Sequence, residues 1–134
     1  VLAREVEKCA GHAEYSAEQA EAMMAPEPTE VPGAVVAFRP IGVLFAIMPW
    51  NFPLWQVFRQ ACTALSAGNT VVLKHAPNVF GCADEIQRIF DDAGLPRGAF
   101  VNVRVDAPQV AALIEHRAVR CVSFTGSCAA GRKV

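Results

Sequence analysis

The residues best placed to do chemistry lie in Pro49-Trp-Asn-Phe-Pro53. Prolines at both ends fix their own φ and remove two backbone donors, so the turn is stiff. It follows the apolar run Val43–Met48, which has strand length. It precedes a stretch in which Leu54, Val57, Phe58, Ala61, Cys62 and Leu65 recur at helical spacing. Such a turn holds Trp50 and Asn51 at the carboxyl end of a buried strand, where open α/β sheets bind ligands. The alternative is a purely structural turn, with Trp50 and Phe52 in the core and Asn51 capping the helix.

A second candidate is Thr125-Gly-Ser-Cys-Ala-Ala-Gly131, which leaves another apolar run, Val119–Phe124, and should open a helix. Free N–H groups and the positive end of the helix dipole beside Ser127 would favour an anion. Glycines at 126 and 131 also suit close packing alone. Cysteines 9, 62, 82, 121 and 128 form no Cys-x-x-Cys pair and have no histidine at metal-ligand spacing. Cys62 and Cys121 fall on apolar stripes as small core hydrophobes, whereas Cys128 falls at a helix start, where a thiolate is favoured. His12 and His116 read as surface residues, and His75 does not.

Strands and helices in alternation must position these groups. Residues 1–25 carry Leu2, Val6, Cys9, Ala13, Ala20 and Met24 on one stripe, as a single amphipathic helix or as a pair broken at Gly11. Pro26, Pro28, Pro32 and Gly33 form a linker, so we divide the chain into an N-terminal helical segment and linker (1–33) and an α/β part (34–134). The α/β part opens with a short strand over 34–38. After the first helix, Gly68 supplies a positive-φ C-cap and Thr70–Lys74 forms a strand. Asn78 is placed to cap the next helix, whose inner face is Ala83, Ile86, Ile89, Phe90 and Ala93. A strand over 100–105 follows, then a short helix opened by Asp106 and Pro108, then the Val119–Phe124 strand. Strands separated by helices of this length imply right-handed crossovers and a doubly wound, Rossmann-like parallel sheet.

The chain has 134 residues and a formal net charge of −1. It carries no basic stripe for nucleic acid. No run reaches the roughly 18 apolar residues of a membrane span, and no signal peptide is evident, so a cytoplasmic location is expected. Its 53% hydrophobic content exceeds the usual globular range. Both ends fall inside elements, which reads as an incomplete domain cut from a longer protein.

Three ordered stretches, Pro40–Leu54, Ala67–Lys74 and Ser123–Ser127 with Gly131, together resemble the cofactor-binding half of the aldehyde dehydrogenase superfamily. Within it, Pro-Trp-Asn-Phe-Pro-Leu-Trp-Gln-Val and Leu-Lys-His-Ala-Pro-Asn-Val are similar to bacterial succinate semialdehyde dehydrogenases. The resemblance implies an oxyanion-hole role for Asn51, whose amide would donate to the oxygen formed when a cysteine attacks the aldehyde. It implies that Met48, Pro49 and Trp50 line the nicotinamide pocket, that Lys74 bonds the adenosine ribose, and that Gly126 and Ser127 meet the pyrophosphate. Pro77 stands where many NAD-using members carry a ribose-gripping glutamate, and His75 beside Lys74 could help hold a 2′-phosphate, so the cofactor is NAD or NADP. The segment 104–109 is shorter than the family's usual adenine-side loop.

The resemblance further implies a small-molecule aldehyde substrate and a homo-oligomer for the full-length protein. The nucleophilic cysteine and general-base glutamate lie beyond residue 134, so the chain alone is expected to be inactive. The alternatives are a free-standing nucleotide-binding or interaction module without catalysis, and a related reductase of acyl phosphates or acyl-CoA. Members of that last group generally lack the Pro-Trp-Asn-Phe-Pro turn.

Overall fold

A computed structural model describes residues 2–134, with the side chain of Leu2 outside the description. Helix α1 spans Leu2–Met23 without interruption. A mid-helix glycine costs only about 1 kcal/mol, and α1 packs along the next helix, so Gly11 makes no break. The expected stripe holds at Cys9, Ala13, Ala20 and Met24 and fails at Val6, where Glu5 takes the inner place. Glu5 and Cys9 are buried while Val6 is 50% exposed.

Strands β1 (Glu27–Pro28) and β2 (Val35–Val36) form an exposed antiparallel ribbon. It straddles residue 33, and its second strand is shorter than the one expected over 34–38. The main body follows as β3 (Val43–Met48), α2 (Trp55–Ser66), β4 (Thr70–His75), α3 (Phe80–Asp92), β5 (Phe100–Asn102), α4 (Ala107–Glu115), β6 (Val119–Phe124) and α5 (Cys128–Gly131). A 3-10 turn over Pro77–Val79 precedes α3, so Asn78 lies inside that turn and gives α3 no side-chain cap.

Strands β3 to β6 form one parallel sheet in the order β5-β4-β3-β6. From β3 the chain winds outward through β4 to β5, then returns to add β6 on the other side of β3. This reversal defines a doubly wound sheet, with a switch point between β3 and β6. Strand periodicity sends Leu44, Ala46, Met48, Val71, Leu73 and Phe100 into one core with Val57, Phe58 and Ala61 of α2 and Ala83, Ile86 and Phe90 of α3. Cys9 of α1 joins the same core, so it runs continuously across the expected 33/34 division. Ile89 is 41% exposed, contrary to its expected place on the inner face of α3.

Two local devices shape the crossovers. Gly68 has φ +79°, and a Cβ there would lie 2.8 Å from Pro40 Cγ, so the turn into β4 demands glycine. At α4, Asp106 accepts the Gln109 amide while Gln109 accepts the Asp106 amide, a reciprocal capping box.

Candidate functional site

At the switch point the turns leaving β3 and β6 face each other across a crevice of about 380 Å³, lined by Pro49, Trp50, Asn51, Thr125, Gly126 and Ser127. The Thr125 amide donates to the Ile47 carbonyl at 3.0 Å, tying the two exit turns together where the strands diverge. Of the expected site residues, the structure therefore brings together Pro49, Trp50, Asn51, Gly126 and Ser127.

Asn51 is exposed, and among the described residues its amide makes no hydrogen bond, so the helix-cap alternative does not hold. Trp50 and Phe52 are 62% and 47% exposed, so neither is a core residue. The amide is left free to donate into the crevice. Opposite it, the Ser127 hydroxyl accepts the Ala130 amide at 3.2 Å and caps α5. Gly126 has a packing reason: a Cβ there would sit 2.5 Å from Cζ of the Phe124 ring.

Three expected cofactor residues lie elsewhere. Met48 is 3% exposed, because alternation along β3 places it on the core face with Leu44 and Ala46. Lys74 is half-buried on the opposite face of β4 from the core and is outside the crevice lining. His75 cannot help it hold a phosphate, because adjacent strand residues point to opposite faces. The ring of His75 is fully buried. Its Nε2 lies 2.9 Å from the Pro53 carbonyl, and its Nδ1 accepts the Ala76 amide at 2.9 Å.

One anchor escaped the sequence reading. Helix α2 has no cap of its own, and the amides of Leu54 and Trp55 donate to Glu5 Oε1 of α1 at 2.9 and 2.8 Å. A carboxylate on a helix N-terminus is favoured by the dipole, and each charge-assisted bond contributes about 1.5–3 kcal/mol. Lys8 lies 3.7 Å from the Trp55 ring centroid and extends the same junction. No local signal marks this pairing, because Glu7 stands beside Glu5 in sequence and the partner amides lie about fifty residues away.

The cysteines divide as their burial dictates. Burial pushes the thiols of Cys9 and Cys62 up to about 11, so neither is a ready nucleophile. Cys128 is exposed at the start of α5, and all five cysteines are free thiols. Among the described residues there is no group of three or more metal-ligating side chains, and no helix is long and apolar enough to cross a membrane.

A doubly wound parallel sheet whose switch-point crevice is walled by a free amide and a serine-capped helix start is the architecture of dinucleotide-binding enzymes. Residues 2–134 match the aldehyde dehydrogenase family, and the chain belongs to it. It is 46% identical over 132 residues to an NAD(P)+ succinate semialdehyde dehydrogenase of Escherichia coli (strain K12), covering 97% of this chain and 29% of that protein. A probable NADP+ succinate-semialdehyde dehydrogenase of Synechocystis is 43% identical over 129 residues, covering 95% of this chain and 28% of the relative. The crystal structure of a succinic semialdehyde dehydrogenase from Streptococcus pyogenes in complex with NADP+ superposes with a TM-score of 0.92 at 31% identity, over 96% of this chain and 29% of that one. The chain thus spans less than a third of the length of these relatives.

Proposed function

We propose that this chain contributes the oxyanion donor and part of the NAD- or NADP-binding wall of an aldehyde dehydrogenase that oxidises succinate semialdehyde to the acid. The supporting observation is that Asn51 and the Thr125–Ser127 turn share one crevice at the sheet's switch point. The residues present fit a dinucleotide: an open crevice bounded by an exposed indole and a helix start, with Lys74 on the neighbouring strand. When bound, the cofactor accepts the hydride that leaves the aldehyde carbon.

Asn51 donates an amide N–H to the carbonyl oxygen as it gains negative charge. Removing one such donor typically costs 10² to 10³ in rate. The nucleophile is taken to come from outside this chain, as the family resemblance implies, and in keeping with that none of its five cysteines lines the crevice. The full-length protein is taken to work as a homo-oligomer, as the family resemblance implies, and in the cytoplasm, a reducing compartment with which the unpaired thiols are in keeping.

Assaying the 134-residue chain and the full-length protein with succinate semialdehyde and either NAD+ or NADP+ tests this reading. Turnover is expected from the full-length protein only. Turnover by the chain alone, or none by the full-length protein, overturns it.

A further inference from the structure

Asn51 has no side-chain hydrogen bond among the described residues, and its neighbours Trp50 and Phe52 are exposed, so no side chain of the turn holds the amide in place. Its position is set by the backbone of Pro49–Pro53 and by whatever grips that backbone. Beneath the turn lies His75, fully buried at the end of β4 and in register with Met48. Its Nε2 contacts the Pro53 carbonyl at the far end of the turn. Its Nδ1 lies 2.9 Å from the Ala76 amide and 3.2 Å from the Met48 carbonyl at the near end.

The partners fix the ring's proton. The Ala76 N–H needs an acceptor, so Nδ1 is bare and the proton sits on Nε2, where it donates to Pro53. The Pro53 carbonyl is free for this because the Val57 amide turns to Leu54, at 3.1 Å, instead of completing the ladder to Pro53. A ring carrying both protons would donate to Met48 and leave the Ala76 amide unpaired in the interior.

We propose that His75 is a positioning residue: its imidazole, pinned to its own strand end by the Ala76 amide, donates from Nε2 to the Pro53 carbonyl, holds the far end of the Pro49–Pro53 turn and so fixes the height and angle at which Asn51 meets the reacting carbonyl oxygen. The proposal rests on the oxyanion role given to Asn51 above. A displacement of about 1 Å at a reacting centre can cost on the order of 10²-fold in rate, and a turn released from its clip has that freedom.

The test is a double-mutant cycle in the full-length protein, with kcat, KM and cofactor affinity measured for each variant. His75→Phe keeps ring bulk but leaves the Pro53 carbonyl and the Ala76 amide unpaired. It should lower kcat by roughly 10- to 10²-fold, with KM and cofactor affinity changed far less. In an Asn51→Ala background the same change should lower kcat by less than about threefold, since the group it positions is already gone. His75→Gln, which can place an amide donor near the Nε2 position, should recover most of kcat. Equal losses in both backgrounds, or no loss at all, overturn the proposal.

Should His75→Phe fail to fold, His75→Gln against His75→Asn decides. Gln should retain more kcat than Asn, which is too short to reach Pro53, and the reverse order refutes the proposal. If the wild-type protein oxidises no aldehyde, the function reading fails, and the clip is judged by 15N spectra of histidine-labelled wild-type protein. A neutral ring protonated at Nε2 supports the clip, whereas an Nδ1-protonated or doubly protonated ring at neutral pH refutes it.

Discussion

The two walls of the crevice are built by opposite means. The β3 wall leaves a strand in which every residue after Val43 is buried, and its turn is bounded by prolines and gripped by His75 from β4. The helix that follows is held by Glu5 from α1. The β6 wall leaves a strand with no buried residue and turns into α5. Its turn is held by the Thr125 bond to Ile47, the Ser127 cap, and two glycines lying against the Phe124 ring. One wall is anchored in the core; the other is anchored to the first wall and to itself. Local opening free energies follow buried apolar contact, so within the 134-residue chain the amide is presented by the rigid side and the helix start by the yielding side.

Core truncation should give the largest contrast. Leu73→Ala, on the fully buried side of β4, should cost about 2–5 kcal/mol in denaturant unfolding of the 134-residue chain. Val122→Ala, half-buried on β6, should cost less than half as much, and equal costs would erase the distinction between the walls.

Next comes the trans cap. Glu5→Ala strands the Leu54 and Trp55 amides and should cost about 1–3 kcal/mol. Hydrogen exchange should accelerate at those two amides before it does in α3. A smaller loss, about 1 kcal/mol, is expected for Gly126→Ala, from overpacking against Phe124. Phe124→Leu should relieve it, and failure of that rescue would show that the glycine serves something other than the ring.

The last effect shows only at high pH. Folding holds the Cys9 and Cys62 thiols near 11 through burial, against an ordinary value of 9.0, and so favours their protonated forms. That contribution is fully present below about pH 9 and is lost as pH rises through about 11. At pH 8 iodoacetamide should label exposed Cys128 first and spare Cys9 and Cys62 until the chain unfolds.

What could be read from the sequence was what local chemistry decides. The apolar runs at 43–48 and 119–124 became strands, Gly68 took its positive φ, and Asp106 with Pro108 opened α4. That the two turns meet in one crevice follows from the strand order, which sets β6 beside β3. What could not be read depends on partners distant in sequence. Glu5 caps a helix 49 residues away, and that contact draws an acid into the interior where Val6 was expected. His75 sits beside Lys74 in sequence, yet the alternation of β4 sends it to the core face, where its partners are carbonyls of another strand and turn. Asn78 failed as a cap because Pro77 begins a 3-10 turn that delays α3. Trp50 and Phe52 look like core residues by type, but the prolines turn the chain out of the sheet before they can enter it.

Single-turnover reduction of NAD(P)+ by the Asn51→Ala variant of the full-length protein probes the crevice most directly. We expect the rate of hydride transfer from succinate semialdehyde to fall about 10²- to 10³-fold with cofactor affinity within about twofold of wild type. A rate within a few-fold of wild type would contradict the placement of this amide at the reacting oxygen.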